Sequence, residues 1–247
     1  MTDIDRLKNS DETLDTFYHG RILVLQKKRG YRFAVDAPLL ADFIQPCPSD
    51  ELLELGCGCG VISLLLSRKA FSHIICLEIQ PSLADLARRN VTLNHLEGKI
   101  TVIEADLRTY SPGRKFDIIF ANPPYFKQAT GWVSQLTEKA IARHEIMVDA
   151  KSLLGKTSEL LKPDGRCYFI YRANRYPEIT EIMRINRLFP WRIRWVLPRP
   201  KQPPRFFLIE AGWSERAVEE LDPLFLFDAT GKYSAEARRI FAGENNA

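Results

Sequence analysis

The sequence predicts an α/β protein with a mostly parallel sheet covered by helices on both faces. Three observations carry this. Short apolar runs alternate with amphipathic segments between about residue 50 and residue 171, a glycine-rich turn follows the first of those runs, and proline or glycine punctuates the junctions. Strands separated by helices must run parallel, since only a crossover returns the chain to the same sheet edge.

Residues 1–16 are polar and acidic without apolar periodicity, which reads as a loose end or one short helix. A short strand is expected at 22–25. Asp36 precedes Ala37-Pro38 as an N-cap, opening a helix to about residue 44 that stops before Pro46 and Pro48. Strands follow at 52–55, 73–79, 100–103 and 116–120, with helices at 61–68 and from Pro81 to about residue 94. A helix at 150–161 ends on the turn Lys162-Pro163-Asp164-Gly165, and a strand at 167–171 comes next. After a helix near 179–188, strands at 192–197 and 205–211 have no helix between them, so they form an antiparallel hairpin at one sheet edge. The last stretch, 214–247, reads as a short helical or irregular tail. The domain division expected is an N-terminal cover (1–45), a core (46–213) and this tail packed on or near the core.

Composition is that of a packed globular chain, with 45% hydrophobic and 27% charged residues over 247 positions. No apolar run approaches the roughly 20 residues of a membrane span. Met1-Thr2-Asp3-Ile4-Asp5 lacks the apolar core of a secretory leader, so a cytoplasmic, membrane-free protein is expected; the oligomeric state is left open, with a monomer favoured. The odd cysteine, among five, fits a reducing compartment. Cys57 and Cys59 flank Gly58, but no second Cys/His pair stands at ligand spacing, and no metal is expected.

A net charge of +4 does not by itself point to a polyanion, whereas its distribution does. Between Arg172 and Arg205 nine basic residues face only Glu178 and Glu181, and Arg21, Lys27, Lys28, Arg29 and Arg32 form a second cluster. Each reads either as a solvated surface or as a phosphate-binding face; Arg192, Arg194, Arg199 and Lys201 are the candidate contacts.

The segment Glu54-Leu55-Gly56-Cys57-Gly58-Cys59-Gly60 lies between the first core strand and a helix, where ligands bind in open α/β sheets. Glycine lets backbone turn tightly and approach a ligand. Glu78, with Ile79, ends the next strand about twenty residues on, where a carboxylate accepts from ribose hydroxyls. Asp106, beside Leu107, follows the third strand and is placed for an adenine amino group. Either acid also suits a helix or turn cap. The Gly-x-Gly-x-Gly spacing is not that of a dinucleotide site, and the Glu54 carboxylate favours an ammonium over a pyrophosphate. S-adenosyl-L-methionine is therefore the expected cofactor, with S-adenosyl-L-homocysteine as its product.

After the fourth strand stands Ala121-Asn122-Pro123-Pro124-Tyr125-Phe126, which resembles motif IV of amino-methyltransferases acting on adenine, guanine or glutamine amides. Two prolines fix φ and restrict the residues before them, so Asn122 is presented in one orientation. Its amide oxygen and the Pro123 carbonyl accept from a planar NH2 group, whose lone pair is otherwise delocalised. Tyr125 would stack on the substrate ring, with Phe126 as a second face.

Together with Tyr18-His19-Gly20-Arg21, the run Gly30 to Leu40 and Ala142-Arg143-His144-Glu145, these motifs resemble the bacterial tRNA1(Val) adenine-37 N6-methyltransferase-like family across nearly the whole chain. The resemblance implies a Rossmann-like class I methyltransferase fold of seven strands and N6-methylation of an adenine beside a tRNA anticodon. It assigns Gly56, Gly58 and Gly60 to the cofactor loop, Glu78 to the ribose, and Asn122, Pro123, Pro124 and Tyr125 to catalysis. Cys57 and Cys59 depart from the usual small or hydroxylated residues and imply sensitivity to oxidation. Arg32 and Asp36 read as parts of an active-site cover or as an internal ion pair, and His144 as a substrate contact or a structural hydrogen bond. Two other readings stay open. One is a protein glutamine N5-methyltransferase, against which stand the roughly fifty residues before the first core strand; the other is a catalytically silent S-adenosylmethionine-binding RNA module.

Overall fold

The computed structural model describes residues 3–29, 34–123 and 150–244. A short helix, α1 (Asp3–Leu7), leads into an antiparallel hairpin of β1 (Glu12–Phe17) and β2 (Ile22–Lys27). Strand β1 was not expected. Glu-Thr-Leu-Asp-Thr-Phe carries few apolar residues, and it is the ladder to β2 that makes it extended. The fully buried Glu12 then anchors the hairpin, because both its oxygens accept from the Arg89 guanidinium at 2.8 Å.

Helix α2 (Asp36–Phe43) begins one residue earlier than an Asp36 cap requires. Val35 is its N-cap, and the Asp36 carboxylate accepts from the Ala37 amide at 3.0 Å. The core then alternates as expected through β3 (Glu51–Leu55), α3 (Val61–Leu66), β4 (His73–Glu78), α4 (Pro81–Leu93), β5 (Ile100–Glu104) and β6 (Phe116–Ala121). Beyond the undescribed segment lie α5 (Ala150–Leu160), β7 (Leu161–Arg172), α6 (Tyr176–Ile185), β8 (Phe189–Leu197), β9 (Phe206–Gly212), β10 (Glu219–Phe225) and α7 (Ala235–Ala242).

The main sheet has eight strands in the order β10-β8-β9-β7-β6-β3-β4-β5, and five of its seven pairings are parallel, so the mostly parallel α/β class holds. Three details differ from the sequence reading. The eighth strand, β10, comes from the tail expected to be a short helix or irregular, where α7 does supply a short helix; β10 is largely exposed and carries Pro223, which an edge strand tolerates. Because β10 pairs outside β8, the antiparallel β8–β9 pair lies inside the sheet rather than at its edge. Lys162 to Gly165 do not leave the strand. They form a bulge in β7, where Phe116 and Ile118 of β6 face Leu161 and Arg166.

Alternation along the central strands divides the core between two faces. Leu52, Ile74, Ile118, Phe120, Tyr168 and Ile170 pack beneath α2, α3, α4 and the hairpin. Leu53, Ile75, Ile119 and Phe169 pack against Leu153 and Leu154 of α5 and Ile179 and Met183 of α6. None of the described helices is long and apolar enough to cross a membrane.

Candidate active site

From β3 the chain moves outward through β4 and β5, then returns to the other side of β3 as β6. This reversal opens a crevice beyond the carboxyl ends of β3 and β6. Glu54 of β3 pairs with Phe120 of β6, so the glycine loop and Asn122 leave adjacent strands at the same level, about 5 Å apart in strand spacing. On the other side Leu55 pairs with Leu77 and Glu78 with Glu104, which brings Glu78 and the start of the Asp106 turn to the same rim. The register thus gathers four separately predicted segments along one edge.

The loop is held from both sides. Gly56, Gly58 and Gly60 have φ of +74°, +57° and +81°, the left-handed region where a side chain is strained. The amides of Gly56 and Cys57 both donate to the Leu77 carbonyl at 2.9 Å, and Gly58 N–H donates to a Glu78 carboxylate oxygen at 2.7 Å. The other Glu78 oxygen accepts from the Gln80 amide at 2.9 Å. Burial raises the Glu78 carboxyl above the ordinary range, while the hydrogen bonds from Gln80 and Gly58 oppose that rise. The Ile79 amide adds a third backbone hydrogen bond to this carboxylate, and Ile79 itself is half-buried.

Glu54 faces the α3 side of β3, under the first turn of that helix. It is 1% exposed and accepts from the hydroxyl of Ser63 and the thiol of Cys76. Burial pushes its carboxyl up to about 8, so it is mostly neutral at pH 7. The same environment answers the question about the loop cysteines. Cys57 is raised by Cys76 beside it and by burial, and Cys59 is pushed to about 12 by burial. Both are buried protonated thiols, the inert kind rather than the oxidation-sensitive kind expected from their position. No group of acids, His and Cys able to hold a metal occurs among the described residues.

Asp106 is only partly covered and pairs with Arg108, whose guanidinium donates to both carboxylate oxygens at 2.5–3.0 Å. This partner holds the Asp106 carboxyl below its usual range. Leu107 is buried behind it. Of the reaction motif, Asn122 is half-buried and Pro123 buried at the end of β6. Pro124, Tyr125, Phe126, His144 and Arg32 lie outside the described residues.

The four candidate RNA contacts separate into two pairs. Arg192 and Arg194 share a face of β8 with Val196 and look toward α2 and α7. Arg192 pairs with Glu210 at 2.5 Å and lies over the Phe43 ring; Arg194 pairs with Glu236 at 2.6 Å and donates to the Asp222 carbonyl. Arg199 and Lys201 instead follow β8, which runs parallel to β7 and β6 through their common neighbour β9. They are therefore exposed at the Asn122 end of the sheet, and no acid pairs with them among the described residues.

The methyltransferase small domain profile matches residues 33–184, more than half of the chain. The chain belongs to this family. Proteins similar to it include one of Flavobacteriaceae bacterium strain 3519-10, 26% identical over 89% of this chain and 93% of its own length, and one of Porphyromonas gingivalis strain ATCC 33277, 28% identical over 92% and 93%. Both carry the name tRNA1(Val) (adenine(37)-N6)-methyltransferase. Among solved structures, a predicted O-methyltransferase of Agrobacterium tumefaciens superposes with a TM-score of 0.68 at 18% identity, covering 86% of this chain and 98% of its own. The geranyl diphosphate C-methyltransferase of Streptomyces coelicolor A3(2), solved with S-adenosyl-L-homocysteine, gives 0.54 at 17% identity over 72% and 78%. At these identities the structural matches establish the fold of this methyltransferase small domain member.

Sequence reading missed Ser63, Cys76, Arg108, Asn90 and Asn94. The last two had a readable signal: on the otherwise apolar face of α4, a pair of asparagines four residues apart needs partners.

Proposed function

We propose that this methyltransferase acts on the exocyclic N6 amine of an adenine in tRNA, at the nucleotide beside the anticodon. The observation that carries the reading is the pairing of Glu54 with Phe120, which sets Asn122 and Pro123 beside the glycine loop. The relatives' shared name favours adenine in tRNA over a protein glutamine. The cofactor is S-adenosyl-L-methionine, and the residues present fit it: three left-handed glycines leave backbone open to a ligand, and a buried carboxylate closes the neighbouring strand. When bound, it supplies an electrophilic methyl group on sulfur. Gly56, Gly58 and Gly60 would hold its methionine part, with Glu54 bracing the loop from beneath, and Glu78 and Ile79 its ribose. Asp106 and Leu107 would flank its adenine.

Asn122 and Pro123 do the chemistry assigned to this chain. Their oxygens accept both N–H bonds of a planar amine, favouring a pyramidal nitrogen whose lone pair is available. As that nitrogen gains positive charge, the acceptors stabilise the transition state more than the ground state. Tyr125 stacks on the base and Phe126 offers a second face, while Arg32 and His144 contact the RNA around it. An anticodon loop presents its bases partly unstacked, which lowers the cost of extruding one. Arg199 and Lys201 at the same sheet end hold flanking phosphates, a role that Arg192 and Arg194, paired beneath α2 and α7, do not share. In total tRNA from a strain lacking the protein, incubation with enzyme and cofactor should generate N6-methyladenosine by nucleoside mass spectrometry. Asn122→Ala should lower that rate by about a hundredfold or more with S-adenosylhomocysteine affinity retained; methylated protein without methylated RNA would overturn the assignment.

A further inference from the structure

Strand β2 has β1 on one edge only, so the backbone groups of Leu23 and Leu25 on its other edge need partners. Helix α4 supplies them with two side-chain amides. Asn94 accepts from Leu23 N–H at 2.9 Å and donates to its carbonyl at 2.7 Å; Asn90 does the same for Leu25 at 2.7 and 2.9 Å. The two asparagines stand in for a third strand. Their remaining donors diverge. Asn94 returns to its own helix at the Asn90 carbonyl, 2.8 Å away, whereas Asn90 reaches the Cys59 carbonyl at 2.9 Å, inside the glycine loop.

Cys59 sits between Gly58 and Gly60, so its carbonyl fixes the peptide that turns the loop into α3. Asn90 is fully buried, and both N–H groups of its amide are used, one on the hairpin and one on the loop. A Cβ at Gly60 would lie 3.4 Å from that of Ala87, which shows how closely the loop rests on α4. We propose that Asn90 is a positioning residue for the cofactor loop, tying it to the N-terminal hairpin so that the two are ordered together. This rests on residues 54–60 being the cofactor loop.

The paired asparagines provide their own control. Asn90→Ala and Asn94→Ala each remove two bonds to β2, but only the first frees the Cys59 carbonyl. By isothermal titration with S-adenosylhomocysteine, Asn90→Ala should bind about tenfold more weakly than wild type, as expected for losing the one buried hydrogen bond to the Cys59 carbonyl, and Asn94→Ala within about twofold. Amide exchange by mass spectrometry should quicken across residues 54–62 in the Asn90 variant alone. Asn90→Leu, which fills a similar volume without a donor or a buried charge, serves if the alanine variant does not fold, with the same outcome expected. Equal affinities and equal exchange in the Asn90 and Asn94 variants would overturn the proposal, while a wild-type protein that fails to bind the probe would instead overturn the reading of the loop.

Discussion

Replacing Glu54 by Gln tests how far burial controls this site. The carboxyl rises from 4.5 to about 8 because it is desolvated beneath α3, and the bonds from Ser63 and Cys76 do not offset that. The folded protein therefore keeps a proton that the unfolded chain has released, and stability falls as pH climbs from about 4.5 to about 8. At about 1.4 kcal/mol per pH unit, a rise of 8 − 4.5 corresponds to a ceiling of about 5 kcal/mol. Between pH 5 and pH 7 the part expressed is about 2–3 kcal/mol, which at about 2–4 °C per kcal/mol for a chain of this size is about 4–12 °C in Tm. Gln fills the same space and still accepts from Ser63, but it does not titrate. Thermal unfolding of both proteins without ligand at pH 5, 6, 7 and 8 should show Glu54→Gln gaining on wild type by that amount as pH rises, since all other groups cancel in the difference. Parallel curves would mean that the carboxyl is solvated or paired in solution, and the account of the loop's support would be wrong.

At the other end of the pH scale, Glu12 moves down to about 2. Burial would raise it, but the Arg89 guanidinium and the Asn9 amide outweigh burial. Its contribution is fully present above about 4.5 and is lost as pH falls toward 2, so Glu12→Gln should cost about 2–3 kcal/mol at pH 7 in urea unfolding and approach nothing near pH 2; a cost independent of pH would reject the ion pair as the source. Charge reversal at Arg199 and Lys201 together should weaken tRNA binding in a filter assay and reduce the log-log salt slope by about 2, with Tm unchanged within a few degrees. Arg192→Glu should do the opposite, lowering Tm because it places a second carboxylate against Glu210 while leaving the salt slope intact. A lower salt slope in Arg192→Glu would return that residue to the RNA surface.

Local chemistry determined most of the fold and supplied the candidate site. The runs at 52–55 and 116–120 are buried on both faces apart from Asp117, and their apolar residues mark them as strands without reference to a distant partner. The candidate motif Asn122-Pro123-Pro124-Tyr125 is readable in the sequence because proline restricts its own φ and the residue before it, and the three glycines because their left-handed φ excludes most side chains. Tertiary structure decided the rest, wherever a residue's role depends on what it meets far along the chain. Glu12–Phe17 and Glu219–Phe225 are strands because β2 and β8 offer them ladders, against weak local preference. Arg192 and Arg199 look alike in a basic stretch, yet one faces Glu210 under α2 and the other the open end of the sheet, since alternation in β8 and its register with β9 set their surroundings. Glu54 and Asn90 gain their character from burial, and burial is a property of packing between elements that sequence separates by tens of residues.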